Sequence, residues 1–150
     1  PIYIQLEIIG NIMKKTFYTL LITLILCCSH NPEHYIQHID GYWEIESLTL
    51  SSGFKKEYTV NQTIDYISVK DSLNGFRKKM SPRFDGKYET SKDVEVFKLK
   101  TENDSLHLYY STAFSKWKET ILMANENQLK IVNQNNDVYL YKRYKPIIIE

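Results

Sequence analysis

The sequence predicts an all-β domain, an antiparallel up-and-down β-barrel of eight or nine strands. Three observations predict it. From Gly41 onward, apolar and polar residues alternate over short runs, the period of a half-buried strand. Turn residues separate these runs at close spacing, so neighbouring strands join as hairpins. No long amphipathic helix is present to cover a sheet face, and a sheet built only from hairpins hides its edges by closing on itself. A flattened β-sandwich is the second architecture the pattern allows.

Pro1 is not a natural start, and Met13-Lys14-Lys15 is a better one. Pro1–Ile12 therefore reads as upstream translation or an artefact, outside the fold. From Met13 the chain has the layout of a secretion signal, residues 13–27. Lys14 and Lys15 give a positive n-region. Phe17–Leu26 is an apolar run within the ~7–15 residues of a signal core and short of the ~20 that a spanning helix needs. Cys27-Cys28-Ser29 follows. Cys28 has Ile25 three before it and small Cys27 just before it, whereas Cys27 has bulky Leu26 ahead. This arrangement resembles the lipobox of bacterial lipoproteins, and the Cys-Ser start is similar to Bacteroidetes-type lipoproteins.

That resemblance implies cleavage before Cys28, a diacylglyceryl group on its thiol and an acyl chain on the new amine. The membrane partner is then reached through the protein's own lipid anchor. Several acyl chains, at about 0.8 kcal/mol per buried CH₂, exceed what stable anchoring requires. The implied place is the cell envelope, on the outer membrane. A periplasm-facing position is favoured, because only Glu33 is acidic between Cys28 and Asp40, where surface-exposed lipoproteins of this type carry an acidic run. With Cys27 removed and Cys28 lipidated, no thiol is left for a disulfide, although the compartment is oxidising. The domain must stand on its core, which about 110 residues can supply.

The full chain has 19 Lys+Arg and 18 Asp+Glu; loss of residues 1–27 removes Lys14, Lys15 and Glu7 and leaves 17 of each. A balanced domain has no broad positive field, so no nucleic-acid partner is expected. Residues 28–40 read as the lipidated cysteine and a solvated tether. His30, His34 and His38 recur every four residues, a spacing that would align metal ligands on a helix. Pro32 leaves room for only a short helix and no fourth ligand is evident, so no metal is expected. Tyr35, Ile36 and Ile39 suit a short helical turn packed on the barrel end.

The barrel is expected over 41–145, with 146–150 as a tail. In its first strand, Gly41–Leu50, Trp43 and Ile45 share one face, and Glu44 and Glu46 mark the other as wet. Leu48 and Leu50 then switch sides, which predicts a bulge or bend. Ser51-Ser52-Gly53 is a turn. Ile64–Val69 is a strand ending in an Asn74-Gly75 turn. Phe76–Met80 and Arg83–Thr90 follow, separated by Ser81-Pro82. Val94–Lys100 and Leu106–Tyr110 form a hairpin. Trp117–Met123, Leu129–Val132 and Val138–Tyr144 complete the set, joined by Asn-rich turns. The expected inward residues are Trp43, Ile45, Tyr66, Phe97, Leu99, Leu106, Leu108, Ile121, Met123, Leu129, Ile131, Val138 and Leu140.

Gly41-x-Trp43 at the start of a first strand, with Arg143 in the last, resembles the lipocalin signature. The resemblance implies a barrel whose closed end holds the Trp, with the Arg guanidinium covering its ring as a cation–π pair. It also implies a ligand site at the open end. Tyr66, Tyr88, Phe97, Tyr110, Trp117 and Tyr141 are the aromatic candidates there, for a small hydrophobic or amphipathic ligand.

The residues carry little catalytic signal. No Gly-rich phosphate loop, zinc spacing or nucleophile elbow is present, so no enzyme and no cofactor are expected. His107 alternates with Leu106 and Leu108 and is expected to face solvent. Arg77 and Lys79 share a face opposite Lys78, and this basic stretch reads as a solvated hairpin. Two functions remain: a membrane-anchored ligand binder, or an envelope scaffold, inhibitor or interaction subunit with a filled barrel. A cavity of roughly 300 Å³ or more lined by aromatics would favour the first, and a packed interior with an exposed apolar patch outside would favour the second.

Overall fold

The computed structural model describes residues 2–3, 12–16, 31–70 and 73–146. The core of the expected signal, both cysteines and His30 lie outside the described residues. The chain divides into two compact units, 1–31 and 32–150, and the barrel is the second.

A 3₁₀ turn, Pro32–Tyr35, runs into a single helical turn, α1, Ile36–Ile39. The end of the expected tether is therefore folded: Ile39 is fully buried, and Tyr35 and Ile36 pack on the core. The strands are β1 Gly41–Thr49, β2 Lys55–Glu57, β3 Ile64–Val69, β4 Asn74–Pro82, β5 Tyr88–Thr90, β6 Glu95–Glu102, β7 Ser105–Ser111, β8 Lys116–Ala124, β9 Gln128–Val132 and β10 Val138–Arg143. Strands β1, β3, β4, β6, β7, β8, β9 and β10 pair in that order, all antiparallel, and β10 pairs back on β1 to close an eight-stranded barrel. Short β2 and β5 are side strands on β1 and β4.

The predicted irregularity in β1 is a register shift between Ile45 and Ser47 against β10. A second shift, between Ile121 and Met123 of β8, was not visible in the sequence. It buries Ala124 in place of the expected Met123. The Asn74-Gly75 turn is corrected: both residues already belong to β4, and a Cβ on Gly75 would collide with the Phe97 ring. Ser81-Pro82 is not a break either. Pairing of β4 with β3 ends at Met80, so at Pro82 that edge is free and the missing N–H costs no ladder bond. The turn falls instead at Arg83–Lys87, where Arg83 N–H donates to the Lys87 carbonyl at 2.8 Å.

Strand phase decides what reaches the interior. β1, β6, β7 and β9 keep the expected phase and bury Trp43, Phe97, Leu99, Leu106, Leu108, Leu129 and Ile131. β3 and β10 are reversed. Asp65 and Ile67 point inward in place of Tyr66, and Tyr139 and Tyr141 in place of Val138 and Leu140. His107 keeps its outward face but is covered to 8% exposure, with its ring bonded to Thr120 at 2.9 Å.

Candidate functional site

The barrel interior has two unlike halves. At the end where β1 begins, the helical turn, Trp43, Leu99, Leu106, Leu108 and Leu129 fill the space with apolar side chains. Trp43 is fully buried, and its indole N–H donates to the Ile39 carbonyl at 2.8 Å. Arg143 is the Cα partner of Trp43 across β1 and β10. Its guanidinium carbon lies 3.8 Å from the indole centroid, a cation–π contact. The same group donates to the carbonyls of Asp40 at 2.6 Å, His38 at 2.9 Å and Glu126 at 3.0 Å. Gly41 makes this possible: it sits at φ +128°, and a Cβ there would meet the Arg143 guanidinium. Burial lowers the Arg143 pKa, only partly offset by Asp40.

The other half lies toward the β1–β2, β7–β8 and β9–β10 turns. It holds a cavity of about 160 Å³ lined by Asp65, Arg77, Lys79, Glu119, Ile131, Tyr139 and Tyr141. Arg77 is the hub. Its fork reaches Glu119 at 3.0 and 3.4 Å, and its Nε donates to Glu95 at 2.8 Å. It also lies over the Tyr110 ring, 4.8 Å from the centroid. Burial alone would lower the Arg77 pKa. Tyr110, Glu119, Tyr141 and Glu95 together outweigh that and hold it well above the ordinary guanidinium value. Asp65 is 3% exposed, and its Oδ1 stands 2.7 Å from the Lys79 ammonium without hydrogen-bond alignment. Lys79 is the wet wall, with 63% of its side chain exposed.

The six aromatic candidates divide. Tyr141 lines the cavity. Phe97, Tyr110 and Trp117 are Cα partners across β6, β7 and β8, with Tyr110 and Trp117 stacked at 4.7 Å and 7° and Phe97 edge-on to Tyr110 at 5.4 Å. These three form a wall behind Arg77 rather than a vacant aromatic pocket. Tyr66 and Tyr88 lie on the outer face. There Tyr42 stacks on Tyr66 at 4.7 Å and on Tyr88 at 5.1 Å, and Phe76 and Tyr144 extend the row edge-on. Burial, above all, raises the pKa of both Tyr110 and Tyr141, so their phenols stay neutral well beyond the ordinary range.

The sequence reading missed Asp65, Glu119 and Tyr139, and it placed Arg77 and Lys79 in a solvated hairpin. The shared face of Arg77 and Lys79 is present but points inward, and Lys79 is the Cα partner of Asp65. A reversed phase for β3 would have revealed that opposite-charge pair. Among the described residues, no group of three or more His, Cys, Asp or Glu is placed to hold a metal. The cavity walls offer ion pairs, phenols and one aliphatic side chain, and no Ser, Cys or His nucleophile. Such an arrangement can recognise charge and aromatic surface. A second, outer depression of about 370 Å³ lies among Glu44, Asn127, Lys142, Arg143 and Lys145.

Among solved structures, the chain is similar to a lipocalin-like protein from Bacteroides uniformis, at 8% identity and a TM-score of 0.45, over 71% of this chain and 99% of that one. An uncharacterized protein from Bacteroides eggerthii is similar at 10% identity and a TM-score of 0.44, over the same shares. No curated protein matches the chain. The model of the lipocalin-like domain matches residues 39–131, more than half the sequence and the stretch from Ile39 beneath Trp43 to Ile131 in the cavity wall. The chain therefore belongs to the lipocalin-like domain family.

Proposed function

We propose that this protein is a lipid-anchored envelope lipoprotein whose barrel binds a small amphipathic ligand in its charged half. The carrying observation is the cavity: a family barrel packed solid at one end keeps about 160 Å³ of space at the other, ringed by buried charge. Packing alone gives no reason to put Asp65, Arg77 and Glu119 there, because buried ion pairs are poor sources of stability. The volume falls short of the roughly 300 Å³ expected of a binder from the sequence and of the ~300–1,000 Å³ of drug-sized sites, so the proposed ligand is a small one and a long lipid chain does not fit without rearrangement. The charged walls also favour an amphipathic over a purely hydrophobic ligand. Anchoring rests on the Lys14-Lys15 n-region, the short apolar run and Cys28.

Native mass spectrometry of the full chain, extracted gently from the host envelope, tests the ligand. A small co-purifying mass released by denaturation supports the proposal; a bare protein mass counts against it. Cys28→Ala tests the anchor and should release the protein from membranes. If that variant stays bound while Cys27→Ala does not, the modified cysteine is Cys27.

One observation favours a second reading. The row Tyr42, Tyr66, Phe76, Tyr88 and Tyr144 is partly exposed on the outer wall, as on a surface that meets another protein. In that case the barrel is a scaffold, and crosslinking from Tyr88 would capture a partner without any small ligand inside.

A further inference from the structure

We infer that the ligand of this cavity is a small organic cation, a protonated amine on a short apolar or aromatic body. This rests on the small-ligand reading above and names its chemical class. Four observations carry it.

Within the lining the charges pair two against two, Asp65 and Glu119 with Arg77 and Lys79. Glu95, partly exposed and outside the lining, adds a third carboxylate on Arg77, so the wider cluster is one acid in excess. Arg77 commits three of its five N–H donors to Glu119 and Glu95, so its charge is already engaged by acids.

Asp65 is the open acceptor. It is 3% exposed and lines the cavity, and the Lys79 ammonium 2.7 Å from its Oδ1 is off hydrogen-bond alignment. A buried acceptor gains most from an aligned donor, and an N–H group placed in the cavity would supply a better aligned bond than Lys79 does.

Lys79 already occupies this place as a stand-in. Its ammonium lies 2.7 Å from Asp65 Oδ1, at the end of a flexible stem that is mostly in water. It can swing out to solvent when another ammonium arrives, because an exposed lysine keeps its hydration.

The remaining walls suit the body of such a ligand. Tyr139, Tyr141 and Ile131 supply ring faces and an aliphatic side chain. Ring faces attract a cation within about 6 Å of the centroid. The volume equals about five waters' share of liquid, which sets the scale of the body.

The test is calorimetric titration of the full chain in nanodiscs of a zwitterionic phospholipid at pH 7. The probes are phenethylamine, neutral 2-phenylethanol and anionic 3-phenylpropanoate. Phenethylamine should bind at least tenfold tighter than 2-phenylethanol, and 3-phenylpropanoate should not bind. Asp65→Asn should remove that tenfold preference and leave the alcohol unaffected. Lys79→Met should tighten amine binding several-fold, a gain that a merely structural role for Lys79 would not produce. It also keeps the test decisive if Asp65→Asn fails to fold. Equal binding of amine and alcohol, or preference for the anion, overturns the cation class while the small-ligand reading stands. No binding of any of the three up to millimolar concentration overturns both.

Discussion

The two halves of one barrel interior solve opposite problems. Around Trp43 the core side chains Ile39, Leu99, Leu106, Leu108 and Leu129 are apolar and buried, and Arg143 caps the indole from the rim with three carbonyls as acceptors. Around Arg77 the inward side chains are acids, bases and phenols that keep a cavity open. The first half gains from burial at about 25 cal/mol per Å² of apolar surface. The second must desolvate ions and recovers that cost only through bidentate and aligned bonds. Stability should therefore be concentrated at the closed end and ligand recognition at the other.

The largest effect expected is at the closed end. Trp43→Ala removes a fully buried indole, its bond to Ile39 and the platform for Arg143. A loss of about 3–5 kcal/mol in denaturant-derived stability should follow. A change within about ±0.5 kcal/mol, the range of ordinary surface sites, would show that the closed end is not the stabilising half.

The charged half should answer differently to single and double changes. Arg77→Met strands Glu119, a buried carboxylate, and should cost about 3 kcal/mol. Arg77→Met combined with Glu119→Leu removes both charges, and the double variant should return to within about 1 kcal/mol of the parent or exceed it. Recovery would mean that the ion cluster is kept for something other than stability. A double variant as unstable as the single would mean that the cluster holds the barrel shut, and the contrast between the halves would fail.

The sequence showed the closed end far more clearly than the charged end, and the reason is physical. Trp43 follows the ordinary rule that apolar groups go inside, Gly41 and Arg143 are legible through the resemblance of Gly41-x-Trp43 to the lipocalin signature, and alternation in β1, β6, β7 and β9 then sets the phase. In β3 the same rule misleads. Ile64-Asp65-Tyr66-Ile67 has apolar residues on both faces, and a reader who sends the carboxylate outward must send Tyr66 inward. The fold does the reverse because Lys79 waits across the strand pair. In β10, Val138-Tyr139-Leu140-Tyr141 offers two acceptable faces, since tyrosine is both apolar body and polar tip. The β1 bulge and the β10 pairing settle which face is used, and neither is encoded in β10 alone. A cavity lined by buried charge is by its nature the part that local patterning assigns to the wrong side.

The smallest effect expected separates the halves by pH. Tyr110 and Tyr141 line the charged half, and burial raises both phenol pKa values above the ordinary value of 10. Their neutral forms are therefore favoured in the fold. The stabilisation is fully present below pH 10, where folded and unfolded phenols are both protonated. Above pH 10 the unfolded chain releases these protons first, so stability falls as pH rises toward the folded values. Absorbance titration near 295 nm should show the Tyr110 and Tyr141 phenolates appearing only as the barrel unfolds. Tyr141→Phe should remove one of the late protons and make the alkaline decline of stability shallower, while Trp43→Ala should lower stability at every pH without changing that slope. A slope unchanged in Tyr141→Phe would place this phenol in contact with water, and the charged half would then be an open cleft rather than a cavity with a buried wall.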